Sequence, residues 1–210
     1  MSCNGSVDAD NHIYVPGREF HYKVYIIQNE TKDTVFHDIK LVVKNPEFPQ
    51  SLFGQTAVEW HYFDVKKDDG YLVERTGVAE DSGHVYLHPP RMSYMGFAQI
   101  PPHSSIHLPI RLGSRAEHEL RIEKGWGDTL NGKTIKSFLE VTGLENLVLG
   151  DSEYKDCFIF EGNTLNYVDE LGVYYAKYWF HEDFGFVKFH YVKPDSSVVI
   201  MELIKEKSKV

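Results

Sequence analysis

Apolar and polar residues alternate with a period of two over most of the chain, and clusters of Gly, Pro, Asp and Asn interrupt the alternation every ~8–15 residues. The clearest stretch runs from Leu171 to Ile204. Three aromatic or β-branched runs are separated there by two turn signals, His181-Glu182-Asp183-Phe184-Gly185 and Lys193-Pro194-Asp195-Ser196. In the middle run Val187, Phe189 and Tyr191 fall on one face and Lys188 and His190 on the other, as in a strand with one wet face. The stretch predicts three consecutive antiparallel strands.

The same reading extends upstream. Phe20, Tyr22, Val24 and Ile26 alternate with His21, Lys23 and Tyr25, and the run ends at Asn29-Glu30-Thr31-Lys32-Asp33. Val35 to Val43 fits a helical face through Phe36, Ile39, Val42 and Val43, yet its β-branched content favours a strand. Thr56–Val65 and Tyr71–Val78 flank Asp69-Gly70 and predict a hairpin. Gly83–Leu87 is a further short strand. Ile106–Leu112, interrupted by Pro109, suits an edge strand. Glu117–Glu123, Thr134–Thr142, Leu144–Leu149 and Tyr154–Glu161 complete a set of ten or so strands with no long helix. The predicted fold is mainly β: one large twisted antiparallel sheet, a half barrel or curled sandwich. Residues 1–12 lack periodicity and read as a disordered tether, and 13–210 as a single β domain.

Composition sharpens this picture at two points. Aromatic residues make up 14% of the chain, which suits strands. Lys and Arg number 22 against 31 Asp and Glu, a net charge of −9 without any basic stripe, which argues against nucleic-acid or anionic-membrane partners. No apolar run approaches the ~18 residues of a membrane-spanning helix. The absence of an apolar leader suits a cytoplasmic protein, but Cys3, followed by the polar stretch Asn4–Asp10, reads equally as the acylated first residue of a processed lipoprotein. Membrane contact would then run only through that lipid anchor.

Candidate chemistry is sparse. His84, His88, His103 and His107 lie in one 24-residue region. Residues four apart in an extended chain are ~13 Å apart and cannot share an ion, so the expectation is scattered surface histidines and no metal, with convergence from different strands as the minor alternative. No nucleophile elbow, phosphate-binding loop, dinucleotide fingerprint, zinc-protease helix or paired Cys-x-x-Cys motif occurs, and no cofactor is expected. Acidic pairs such as Glu182-Asp183 and Asp68-Asp69 read as turn residues. Cys157, in a strand of aromatic and aliphatic neighbours, reads as a buried thiol on the side of Ile159.

Two segments resemble a known group. Gly143–Glu161 is similar to the pattern E-x-V-x-V-P-A-G-T-F-K-N-C-L-x-I-E of bacterial cell-envelope proteins, mostly lipoproteins of unknown function, and Tyr178–Tyr191 is similar to their closing hairpin. The Pro-Pro, Leu-Pro and Leu-Gly elements between Pro89 and Leu112 echo a passage that precedes this region in those proteins. The chain departs from the pattern at Gly150–Tyr154 and Glu182–Gly185. The resemblance implies a half barrel like that of periplasmic lipoprotein carriers, with a concave apolar face, an envelope location and no catalytic residues.

The functional expectation is therefore a non-enzymatic envelope protein, periplasmic or on the outer membrane, that binds an apolar small molecule or an envelope protein on the concave face. Its candidate ligand-binding residues are Met92, Tyr94, Met95 and Phe97, in an apolar segment bracketed by Pro89-Pro90 and Pro101-Pro102. The alternative is a hydrolase-like site assembled from scattered His and acidic residues, recognisable by polar groups converging within hydrogen-bond reach.

Overall fold

A computed structural model describes residues 13–45, 54–67, 70–122, 132–165 and 171–207. Cys3, the rest of residues 1–12 and the turn residues Asp68 and Asp69 lie outside the described residues. Twelve strands follow one another: β1 (Glu19–Ile27), β2 (Thr34–Lys44), β3 (Thr56–Lys67), β4 (Gly70–Glu80), β5 (His84–Leu87), β6 (Ser105–His107), β7 (Arg115–Arg121), β8 (Thr134–Leu149), β9 (Ser152–Asn163), β10 (Tyr175–His181), β11 (Gly185–Val192) and β12 (Val198–Lys207). A 3-10 helix, Ser93–Gln99, lies between β5 and β6.

All twelve strands belong to one sheet in the order β6-β5-β4-β3-β2-β1-β12-β11-β10-β9-β8-β7. Every step of that order but one joins strands consecutive in sequence. The exception is β1 beside β12, so the first and last strands close the middle of the sheet and leave β6 and β7 as its two edges. The three strands expected between Leu171 and Ile204 are present and paired, β10 to β11 to β12.

Alternation decides which face is buried. Phe20, Tyr22 and Val24 of β1, Trp60 and Tyr62 of β3, and Phe189 and Tyr191 of β11 are fully buried on the inner face. Their rings meet edge-on, as with Tyr22 on Phe189 and Tyr178 on Phe189, and each large side chain buried this way contributes roughly 1.5–3 kcal/mol. On the outer face, opposed charges fix the register. Lys23 faces Asp38 at 3.2 Å, Lys188 faces Glu202 at 2.8 Å and Lys177 faces Glu161 at 2.7 Å, each pair directly across neighbouring strands.

Two strands depart from simple alternation. Thr134–Thr142 and Leu144–Leu149 form one 16-residue strand, β8, because register shifts at Val141/Gly143 and Glu145/Leu147 absorb extra residues without ending the pairing. In β9, Tyr154, Cys157 and Phe160 are buried at a spacing of three. Asp156 takes a left-handed conformation (φ 56°) between Tyr154 and Cys157, which resets the alternation there, and Ile159, two residues beyond Cys157, is half-buried and packs against the same core. Cys157 is a free, buried thiol whose pKa burial pushes up to about 11. Gly162 is required by close approach, since a Cβ there would fall on the Phe138 carbonyl.

Candidate functional site

The 3-10 segment covers the inner face. Met95 and Ala98 are buried, Tyr94 and Phe97 pack against the main core, and only Met92 of the four candidate residues stands exposed. Phe97 meets Tyr191 edge-on at 5.4 Å, and Tyr94 stacks on His37 at 4.2 Å.

Both ends of the segment are tied. The buried Glu74 carboxylate accepts hydrogen bonds from the Arg91 backbone N–H (2.7 Å), Arg91 Nε (2.8 Å) and Tyr62 Oη (2.8 Å), and Tyr62 Oη in turn accepts from Met92 N–H (3.1 Å). At the far end Tyr178 Oη donates to the Pro102 carbonyl, and Ile100 joins a second apolar cluster with Ile122 and Ile135. The proline pairs bracket a fixed cover over a filled core.

Open space lies where the two ends of the sheet meet. Val85, Leu87 and Ile106 point into the core, so by alternation their neighbours His84, Tyr86, Ser105 and His107 point outward from β5 and β6. At the other end Ala116, His118 and Leu120 of β7 stand opposite Leu139, Ser137 and Ile135, on the buried side of β8. A cleft of about 580 Å³ is lined by His84, Tyr86, His88, His103 and Ser105 from the first end and by Glu117, His118, Glu119 and Leu120 from the second. A smaller cavity of about 60 Å³ sets Ser105 and His107 against Leu139, Val141 and Phe160. The rolled sheet thus laps over itself, the inner face of β7–β9 on the outer face of β5–β6.

Polar side chains converge in this seam. His84 Nε2 lies 2.8 Å from Ser105 Oγ, and Tyr86 Oη lies 3.3 Å from His88 Nδ1 and 3.4 Å from His103 Nδ1. The rings of His84 and His107 are centred 5.3 Å apart, and those of His103 and His118 6.4 Å apart. Burial, with neighbouring positive groups adding to it, pushes His88 and His103 down to about 4; for His88 the neighbour is Arg91, for His103 it is His118. Burial also lowers His84 and His118 and raises Tyr86 to about 12. At neutral pH His88 and His103 are therefore uncharged. His118 Nε2 is buried without a hydrogen-bond partner.

His84, His88 and His103 thus line one cleft, with His107 beside His84 on the neighbouring strand, nearer one another than spacing along the chain suggests. His118 joins them from the opposite edge, and no local motif could have shown this because the seam unites residues on strands at opposite ends of the sheet order. Among the described residues no three His, Cys, Asp or Glu side chains are already grouped to hold a metal ion.

An open antiparallel sheet of this size, rolled on an aromatic core with its first and last strands side by side in the middle, defines a fold class shared with two solved structures. One, from Bacteroides fragilis NCTC 9343, is described as an exported protein with a YmcC-like fold; it has a TM-score of 0.51 and 14% identity over 93% of this chain and 98% of that chain. The other, from Parabacteroides distasonis ATCC 8503, is described as a lipoprotein; it has a TM-score of 0.54 and 13% identity over 93% of this chain and 97% of that chain. No family model matches the sequence, and no curated protein matches it. The chain has the YmcC-like fold, in agreement with the group that its Gly143–Glu161 and Tyr178–Tyr191 segments resemble.

Proposed function

We propose that the chain is an exported, envelope-located binding protein that takes a small polar ligand in the seam cleft. The observation that carries this is the cleft's lining: uncharged imidazoles, a phenol and a hydroxyl converge on a space within the ~300–1,000 Å³ range of ligand sites. The buried, unpartnered His118 Nε2 is a hydrogen-bonding group that such a ligand would complete. An apolar guest on the inner face is less well supported, because Met95 and the core aromatics fill that face. The envelope location draws support from the two fold neighbours described as exported and as a lipoprotein.

Native mass spectrometry of the gently purified chain tests this. The expected result is a polar adduct that disappears in Gln99→Trp, a substitution at the cleft wall that leaves the core intact. An adduct that persists in this variant, or one that is a lipid, would overturn the seam reading.

A second reading, hydrolysis, has one observation in its favour: Ser105 Oγ and His84 Nε2 are within nucleophile–base distance at 2.8 Å. Against it, no carboxylate accepts a hydrogen bond from the other ring nitrogen of His84 among the described residues; Asp81 Oδ1 instead accepts from the Gly83 N–H. Histidines held near 4, as at His88 and His103, are also poor proton acceptors at neutral pH. Labelling of Ser105 by a fluorophosphonate would favour hydrolysis; an unreacted serine favours binding.

A further inference from the structure

We propose that His84 and His107 form a chelating pair for a borderline divalent transition metal such as Zn2+, Ni2+ or Cu2+, with His118 as a third ligand when the lapped ends of the sheet draw together. This names the ligand class of the seam and so rests on the binding reading above.

The pair is built by register. His84 and His107 stand directly opposite each other on β5 and β6, both on the outward side, His84 at the cleft and His107 exposed at the smaller cavity beside it. Their ring centres are 5.3 Å apart. Two imidazoles bound to one ion at ~2.0–2.1 Å hold their ring centres about 5–6 Å apart, so the pair already stands at chelating separation. Side-by-side strands hold the two backbones, so closing on an ion needs only side-chain rotation.

The surroundings suit a cation. Ser105 Oγ engages His84 Nε2, which fixes the ring and leaves Nδ1 for an ion, the arrangement of a metal-bound histidine oriented by a second hydrogen bond. His118 supplies the buried ring nitrogen that lacks a partner. Because no three ligands are grouped in advance, the pair nucleates the site and β7 brings the third, and an ion held this way would pin the two ends of the sheet together.

The experiment uses the full chain without a polyhistidine tag, stripped with EDTA and titrated with ZnCl2 and NiCl2 by calorimetry, with Tm measured in parallel. The expected result is saturable one-to-one binding and a raised Tm. His84→Gln and His107→Gln should each weaken binding at least tenfold and His118→Gln by a smaller factor. His190→Gln, on the outer face of β11, should leave binding unchanged. His107 is exposed, so its variant remains folded and informative. Absence of saturable binding, or binding unaffected by His107→Gln, would overturn the proposal. A polar organic adduct retained by the EDTA-stripped chain in the absence of any metal response would leave the seam as a ligand site and remove only the metal.

Discussion

Glu74 ties β3 and β4 to the entrance of the 3-10 segment. Sequence offered no reason to single it out, since it sits in β4 as one of 31 acidic residues. The fold buries its carboxylate and surrounds it with donors from Arg91 and Tyr62, two of them at the entrance to the 3-10 segment. Removing such an acceptor leaves buried donors without partners, at a cost of ~1–3 kcal/mol each. Glu74→Ala is therefore expected to lower stability by roughly 2–5 kcal/mol, read from urea midpoints, and to speed hydrogen exchange at Arg91 and Met92. Unchanged exchange at these two amides would show that the segment is held by its apolar contacts alone. Cys157 was legible from its aromatic and aliphatic neighbours as a buried thiol. The left-handed turn at Asp156 that delivers it to the core was not, because Asp tolerates many conformations.

Among the elements, strands were easier to read than what lies between them. Period-two alternation depends on neighbours one and two residues away, so β1, β2, β10 and β11 stand where the pattern puts them. β8 reads as two strands in sequence because Gly143 looks like a stop, and only pairing with β9 on both sides of the bulge makes it one. The Met92–Ile100 segment is the sharper case. Its composition suits either a cover or the wall of an apolar pocket, and the choice belongs to the Glu74 and Tyr178 anchors that reach it from distant strands. As a cover, it contributes to the core directly: Met95→Ala should cost roughly 2–5 kcal/mol, while binding of an environment-sensitive apolar dye stays low in the folded wild-type protein. Strong dye binding by the wild type with little loss of stability in the variant would restore the apolar pocket.

At the scale of the whole molecule, the lapped seam makes stability depend on pH. His88 and His103 are held at about 4 in the folded chain against an ordinary value near 6.5, so the unfolded chain binds more protons between these values. Their contribution is complete above about pH 6.5 and is lost progressively as pH falls toward about 4. In EDTA, the urea midpoint should fall over this window, by roughly 2–4 kcal/mol in stability for the two groups together. The double variant His88→Gln/His103→Gln should flatten that slope. Glu19, Glu59 and Asp195, whose folded values are lowered, add their own loss at more acid pH, and the variant separates the two effects. An unaltered slope would mean that the two imidazoles are solvated.

By itself the sequence determined most of the strands, the antiparallel order of the closing meander and the likeness to envelope proteins, because each follows from short-range alternation, turn residues and local motifs. Only the tertiary structure decided that β1 pairs with β12, that the sheet rolls until β7 lies over β5 and β6, and that four histidines from β5 to β7 face a single cleft with His107 in the cavity beside it. Those facts depend on the accumulated twist of twelve strands and on burying one aromatic face, quantities summed over the whole chain that no local window of residues contains.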